Sequence, residues 1–196
     1  MEGVHLSLRA RKKEQTKQAI IESATKLFAE KGYEATRTRE IAEAAGIATG
    51  TLFNYAKTKS DIVLLIWKAR VMVVVQQGLA AAHQEPDPID GVLATFEPAF
   101  SFYAEDLELG KVFLQNAIYA QADDPEMLTV NEGFVAQLSI YLAPHVGAEA
   151  FQAAGNVFAA YYLVLTMMLA GRLPDVPASV AFFREMVKTQ SRGWST

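Results

Sequence analysis

Apolar side chains recur at three- and four-residue intervals along almost the whole chain, and no stretch keeps the period-two alternation of a strand. The first stripe, Ile20/Ile21, Ala24 and Leu27/Phe28, predicts a helix from about Glu14 to Lys31 that stops at Gly32. A short helix follows over Arg39–Ala45, with Thr38 placed to cap it and Gly46 to end it. A third, shorter still, runs from Ala48 or Thr49 to Tyr55. Ser60-Asp61 then opens a long helix with Ile62, Leu65, Ile66 and Ala69 on one side, continuing to about Ala82.

Pro86-Asp87-Pro88 marks a loop, because each proline lacks an N–H and pushes its predecessor out of helical geometry. Beyond it the pattern predicts a helix from Ile89 to about Ala104, kinked at Pro98. Further helices follow at Leu109–Ala120, from Asp123-Asp124-Pro125 to Ala143-Pro144, at Glu149–Gly171 and at Ala178–Arg192. The fold class is therefore all-α, with about nine helices. Ala150–Gly171 holds no charge and is long enough to span a membrane. Gln152, Asn156 and Thr166, and small residues suited to close helix packing, point instead to burial in an oligomer interface, with no membrane partner.

Composition narrows the chemistry. The 196 residues include no cysteine and three scattered histidines, which excludes disulfides, thiol catalysis and Cys-based metal sites and speaks against any metal centre. There is no glycine-rich phosphate loop and no triad-like grouping, so the chain is read as not an enzyme, and no cofactor is expected. The opening is interrupted by Arg9, Arg11, Lys12 and Lys13, unlike a secretory signal, and the expected location is cytoplasmic. Charge is uneven: residues 1–60 carry 11 Lys and Arg against seven Asp and Glu, net +4, which leaves −8 for the rest. That split admits a polyanion partner for the N-terminal part, or simply one solvated basic helix.

The helices on either side of Gly46 have the form of a helix-turn-helix. Ile41, Ala42 and Ala45 would face the supporting core, Ile47 would plug the turn, and Leu52 would anchor the second helix from inside. Thr49, Thr51, Phe53, Asn54 and Tyr55 are then left for the other faces, with Lys57 and Lys59 just beyond. Hydroxyls, an amide and aromatic rings on a short helix suit a DNA major groove, although glycine-turn hairpins are common in other settings.

The stretch AIIESATKLFAEKGYEATRTREIAEAAGIATGTLFNYAKTKSDI resembles the DNA-binding domain of TetR-family transcriptional regulators over about 45 positions. The matching pieces are A-x-x-L-F, K-G-Y-x-x-T, I-A-x-x-A-G-I, G-T-L and the closing lysine. The resemblance implies an N-terminal three-helix domain joined by a long helix to a larger helical ligand-binding and dimerisation domain. It divides the chain into a basic arm (1–13), a helix-turn-helix domain (14–60) and a ligand-binding and dimerisation domain (61–196). It implies a homodimeric, ligand-responsive repressor that binds double-stranded DNA at an inverted-repeat operator. By position, Arg39 would reach a base edge, Thr38 would cap its helix and touch phosphate, and Arg37 would lie nearby. Thr49, Gly50, Thr51, Phe53, Asn54 and Tyr55 would form the recognition segment, and Lys59 would pair with a phosphate.

Three positions depart from the family pattern. Ala48 stands where a capping serine is usual, Phe53 loses a tyrosine hydroxyl, and Ala56 replaces a large aromatic. The last leaves a cavity costing on the order of 2–4 kcal/mol unless neighbours fill it. These departures keep open an alternative, a helical small-molecule binder that has lost DNA binding. The basic arm is either solvated or follows phosphates or the minor groove. The long helix is the expected lever between effector and DNA, since two-fold readers need half-sites about 34–36 Å apart. The small-molecule effector would be mainly apolar or aromatic, lined by Phe96, Phe100, Tyr103, Phe113, Tyr119, Phe134, Tyr141, Tyr161, Tyr162 and Met168, positions that also suit plain core. The last two helices are the expected dimer interface.

Overall fold

The computed structural model describes residues 7–120 and 125–193 and, among them, nine α-helices and two short 3₁₀ turns. The helices are α1 (Leu8–Lys31), α2 (Thr38–Ala44), α3 (Thr49–Leu52), α4 (Lys59–Ala82), α5 (Pro88–Ala104), α6 (Leu107–Ala120), α7 (Pro125–Val146), α8 (Ala150–Leu169) and α9 (Val176–Gln190). Asp123 and Asp124, expected at the start of α7, lie outside the described residues. The chain divides into two compact units, Met1–Lys68 and Ala69–Thr196, with the break inside α4.

In the first unit, Ile20, Ala24 and Phe28 of α1, Ile41 and Ala42 of α2, Leu52 of α3 and Ile62 and Val63 of α4 are buried, with α2 packed against both α1 and α3. Each fully buried Ile or Leu there contributes about 1.5–3 kcal/mol of apolar burial. Trp67, at 2% exposure, belongs to the same core and carries none of the expected stripe. Leu65, expected on the inner side of α4, is only half-buried. Ala56 is buried at 3%, so its neighbours close the position to solvent despite the small side chain.

Helix ends explain several boundaries. α1 starts at Leu8 rather than Glu14, because the Ser7 hydroxyl accepts from the Ala10 N–H at 3.2 Å and the basic segment winds on as the first two turns. The supposed arm therefore begins no later than residue 8 as helix. α4 opens on a reciprocal cap: the Thr58 hydroxyl accepts from the Asp61 N–H (3.1 Å), and the Asp61 carboxylate accepts from the Thr58 N–H (2.9 Å). Cap duty thus falls two residues earlier than the expected Ser60-Asp61 start.

In the second unit α8 packs against α7 and α9, and α5 against α9. α5 begins at Pro88, where Asp87 caps the N–H groups of Ile89 and Asp90, and continues through Pro98. Two glycines permit close approach. A Cβ on Gly78 of α4 would stand 2.1 Å from the Thr95 carbonyl oxygen, and one on Gly91 would stand 1.7 Å from the Tyr141 hydroxyl. α8 ends at Leu169, not at Gly171, which follows at φ +72 with the Arg172 N–H on the Met167 carbonyl. Lys59–Ala82 and Asn131–Leu169 are long and apolar enough to cross a membrane, a property that the core helices of a soluble protein share.

Candidate nucleic-acid interface

The connection from α1 to α2 is built on one buried polar group. Thr36 is 1% exposed, and its hydroxyl donates to the Gly32 carbonyl at 2.8 Å, with the Leu27 carbonyl at 3.3 Å. α2 then starts with Arg37 as its N-cap, which corrects the expected cap at Thr38. Thr38 is the first helical residue, and Glu40 closes the helix start by accepting the Arg37 N–H at 2.9 Å. The Lys31 ammonium, 2.6 Å from Glu40, together with that backbone bond holds the Glu40 carboxyl below its usual value.

The turn after α2 is a complete Schellman motif. The Ile47 N–H reaches the Ala42 carbonyl at 3.0 Å and the Gly46 N–H reaches that of Glu43 at 3.1 Å, with Gly46 at φ +68. Ile41, Ala42 and Leu52 are fully buried, as the pattern required, whereas Ala45 and Ile47 are only half-buried.

The recognition segment differs from expectation in regularity. α3 is α-helical for Thr49–Leu52 only, not through Tyr55. Past it, the Asn54 and Tyr55 N–H groups bond three residues back, to Thr51 and Leu52, so the segment tightens into a 3₁₀-like turn. Ala48 is the N-cap and supplies no side-chain bond; Thr49 does not take over its role.

The remaining candidates divide by position. Arg37, Arg39, Gly50, Phe53 and Asn54 are exposed, and Thr38, Thr49, Thr51 and Tyr55 are half-buried. Arg39 bonds the exposed Glu43 beside it, at 3.0 Å. Tyr55 turns its hydroxyl to the Lys13 carbonyl at 3.4 Å. Lys59 is tied inward: its ammonium donates to the carbonyls of Tyr33 (2.7 Å) and Glu34 (3.2 Å) and lies 4.2 Å from the centre of the Tyr33 ring. A groove that sequence reasoning did not describe lies between Arg9, Lys12, Lys13 and Thr16 of α1 and Thr51, Asn54 and Tyr55. The i, i+3, i+4, i+7 spacing of the α1 residues was its available signal.

In the second unit, five of the ten expected effector-lining residues meet in one ring cluster. Phe96 lies 4.6 Å from Tyr161 and 5.3 Å from Phe134, Phe100 lies 5.2 Å from Tyr161, and Tyr161 lies 5.7 Å from Tyr162. Phe158 and Phe183 complete the cluster and were not expected. Phe158 precedes Tyr161 and Tyr162 by one helical turn, the cue available in the sequence; Phe183 lies on a helix expected at the dimer interface. Tyr103 pairs instead with Phe102 and Phe113. Tyr141 stands apart between His83 and His145, and Met168 is buried on α8. The side chain of Tyr119 lies outside the described residues. Burial pushes the phenols of Tyr103, Tyr161 and Tyr162 above their usual value; the Asn131 side chain, bonded to Tyr162, opposes this there.

Comparison with known proteins fits this geometry. Residues 20–66 match the family model described as bacterial regulatory proteins, tetR family. The chain is 28% identical over 93 residues to a fatty acid metabolism regulator protein of Bacillus subtilis; the match takes in 47% of this chain and 48% of the relative, so the chain spans about half of that protein's length. Among solved structures, a TetR transcriptional regulator from Rhodococcus sp. RHA1 superposes with a TM-score of 0.66 at 22% identity, over 92% of this chain and 97% of that one. FadR from Bacillus subtilis in complex with stearoyl-CoA superposes with a TM-score of 0.59 at 21% identity, over 90% and 98%. The helix-turn-helix thus matches the model of the tetR family of bacterial regulatory proteins over residues 20–66, and the chain as a whole shares the all-helical fold of solved TetR regulators.

Proposed function

We propose that the chain is a ligand-responsive repressor that binds an inverted-repeat DNA operator as a homodimer and releases it when a small, mainly apolar effector occupies the second unit. The observation that carries the reading is the turn between α2 and α3. Its Schellman bonds and buried Ile41, Ala42 and Leu52 fix a short segment whose Thr49, Thr51, Phe53, Asn54 and Tyr55 are left at or near the surface. Arg39 is available to a base edge because an exposed i, i+4 pair with Glu43 is worth only about 0.3–0.5 kcal/mol. Arg37 and Thr38 next to it in the chain, and the exposed Gly50 of α3, are at or near the surface for backbone contact. Lys59, by contrast, acts as a brace between α4 and the carbonyls of Tyr33 and Glu34.

The effector reading rests on the ring cluster around Phe96 and Tyr161, which offers apolar surface with a few phenolic groups. The stearoyl-CoA held by a protein of the same fold is consistent with an apolar ligand class. The dimer would form on the outer faces of α8 and α9, where Phe151 (67%), Leu163 (50%) and Phe182 (41%) are exposed. α4, which contributes residues to both units, is the covalent path along which an effector would act on DNA affinity.

The test is selection of bound sequences from random duplex DNA by the full chain. An inverted repeat is expected, with Arg39→Ala weakening binding to it about 10- to 100-fold. No enrichment would favour the alternative, a small-molecule binder without an operator, to which Ala48 and Phe53 point.

A further inference from the structure

The first two turns of α1 are not an undirected basic stretch. Arg9, Lys12, Lys13 and Thr16 follow one another at i, i+3, i+4 and i+7 and so share a helix face, and all four line the groove closed by Thr51, Asn54 and Tyr55. Arg11 belongs to the opposite face with Glu14, Gln15 and Gln18. Four cations that look equivalent in sequence are thus sorted three to one. Among the described residues the groove lining contains no carboxylate, and Tyr55 is bonded to the Lys13 carbonyl, which joins this face of α1 to the recognition segment. The Thr16 hydroxyl is donated to the Lys12 carbonyl at 2.9 Å, so the donors offered by α1 to the groove are its three cationic groups.

The geometry points to this groove as the seat of DNA phosphates flanking the bases read by the segment after Thr49, with Arg9, Lys12 and Lys13 as their counter-charges. This inference rests on the DNA-binding reading above and deepens it. Lys59, where the family pattern would place a phosphate contact, has two of its three donors on backbone carbonyls, so the phosphate charge is met on α1 instead. A helix wound to residue 8 holds its cations beside the groove at fixed spacing. Such a stripe neutralises backbone charge without reading sequence.

The experiment is the salt dependence of binding, measured for the full chain on its selected operator and on random duplex DNA. Each neutralised phosphate contributes about 0.9 to the slope of log affinity against log salt. The triple variant Arg9→Gln, Lys12→Gln and Lys13→Gln removes three counter-charges from each protomer of the dimer and is expected to lower that slope by about 5 on both DNAs, with the preferred sequence unchanged. Arg11→Gln, which removes the same unit charge from the other face, is expected to change it by less than about 0.3, against roughly 1.8 for Lys12→Gln, which a dimer carries twice. Glutamine is a good helix former, and circular dichroism of each variant confirms that α1 persists. An unaltered slope in the triple variant overturns the inference. So does an equal effect of Arg11→Gln and Lys12→Gln, which would show net charge at work, or an altered base preference, which would show the segment reading bases. If the chain selects no sequence, the operator reading fails on its own, and the slopes on random duplex still decide the groove.

Discussion

Single positions carry much of this fold, and glycines show it most directly. Gly46 adopts φ +68 with open space around it, so its role is backbone conformation alone. Gly46→Ala should cost about 1–2 kcal/mol in urea unfolding and create no clash. Gly91 is the reverse case, an ordinary helical backbone pressed against a side chain. Gly91→Ala should destabilise by about 1–3 kcal/mol, and Tyr141→Phe should relieve part of that, because the hydroxyl at 1.7 Å goes while the ring carbon at 2.6 Å stays. At Gly78 the obstacle is the Thr95 backbone carbonyl, so no side-chain change at 95 should rescue an alanine there. Gly46 was legible in sequence as a helix stop; Gly78 and Gly91 were not, because nothing local records what packs against a helix.

Elements were read well in their middles and less well at their ends. The apolar stripes of α1, α2 and α4 identified Ile20, Ala24, Ile41 and Ile62 as core, since burial follows helical period. Ends depend on single hydrogen bonds, and these moved the start of α1 to Leu8, the cap of α2 to Arg37 and that of α4 to Thr58. Asp61→Ala should remove the reciprocal cap and cost about 1 kcal/mol by thermal or urea unfolding. Glu40 gives a pH signature at the same scale. Its folded-state value lies below the ordinary 4.5, so the stability it supplies is present above that pH and is lost as the pH falls through the depressed value. The wild type should therefore lose stability below pH 4.5 more steeply than Glu40→Gln, as followed by acid titration of the helical signal.

For the whole molecule, the two units differ in what they bury. The first closes on aliphatic side chains with Phe28 and Trp67, and the second on a ring cluster whose phenols, Tyr161 and Tyr162, are raised above their usual value of 10.0. A phenol held neutral in the fold ionises in the unfolded chain above pH 10, so stability should fall as pH rises past that point. Ultraviolet titration should show these tyrosines ionising together with unfolding, and Tyr161→Phe should flatten the alkaline loss. The proposed dimer belongs to this scale too. Sedimentation should give a dimer at micromolar concentration, and Phe151→Glu with Leu163→Glu should shift it to monomer, because two charges would then occupy the apolar outer face of α8.

The amino-acid sequence alone determined the all-helical class, the helix-turn-helix, and the residues Arg39, Thr49, Thr51, Asn54 and Tyr55 that it brings towards the surface. Those follow from period, turn residues and short-range spacing, which are written within a few positions of one another. Which cation of the basic segment faces the groove, that Lys59 turns inward, and that Phe158 and Phe183 join the ring cluster were settled only in three dimensions. Each depends on a partner tens of residues away, and local sequence holds no record of such a partner until packing brings it into contact.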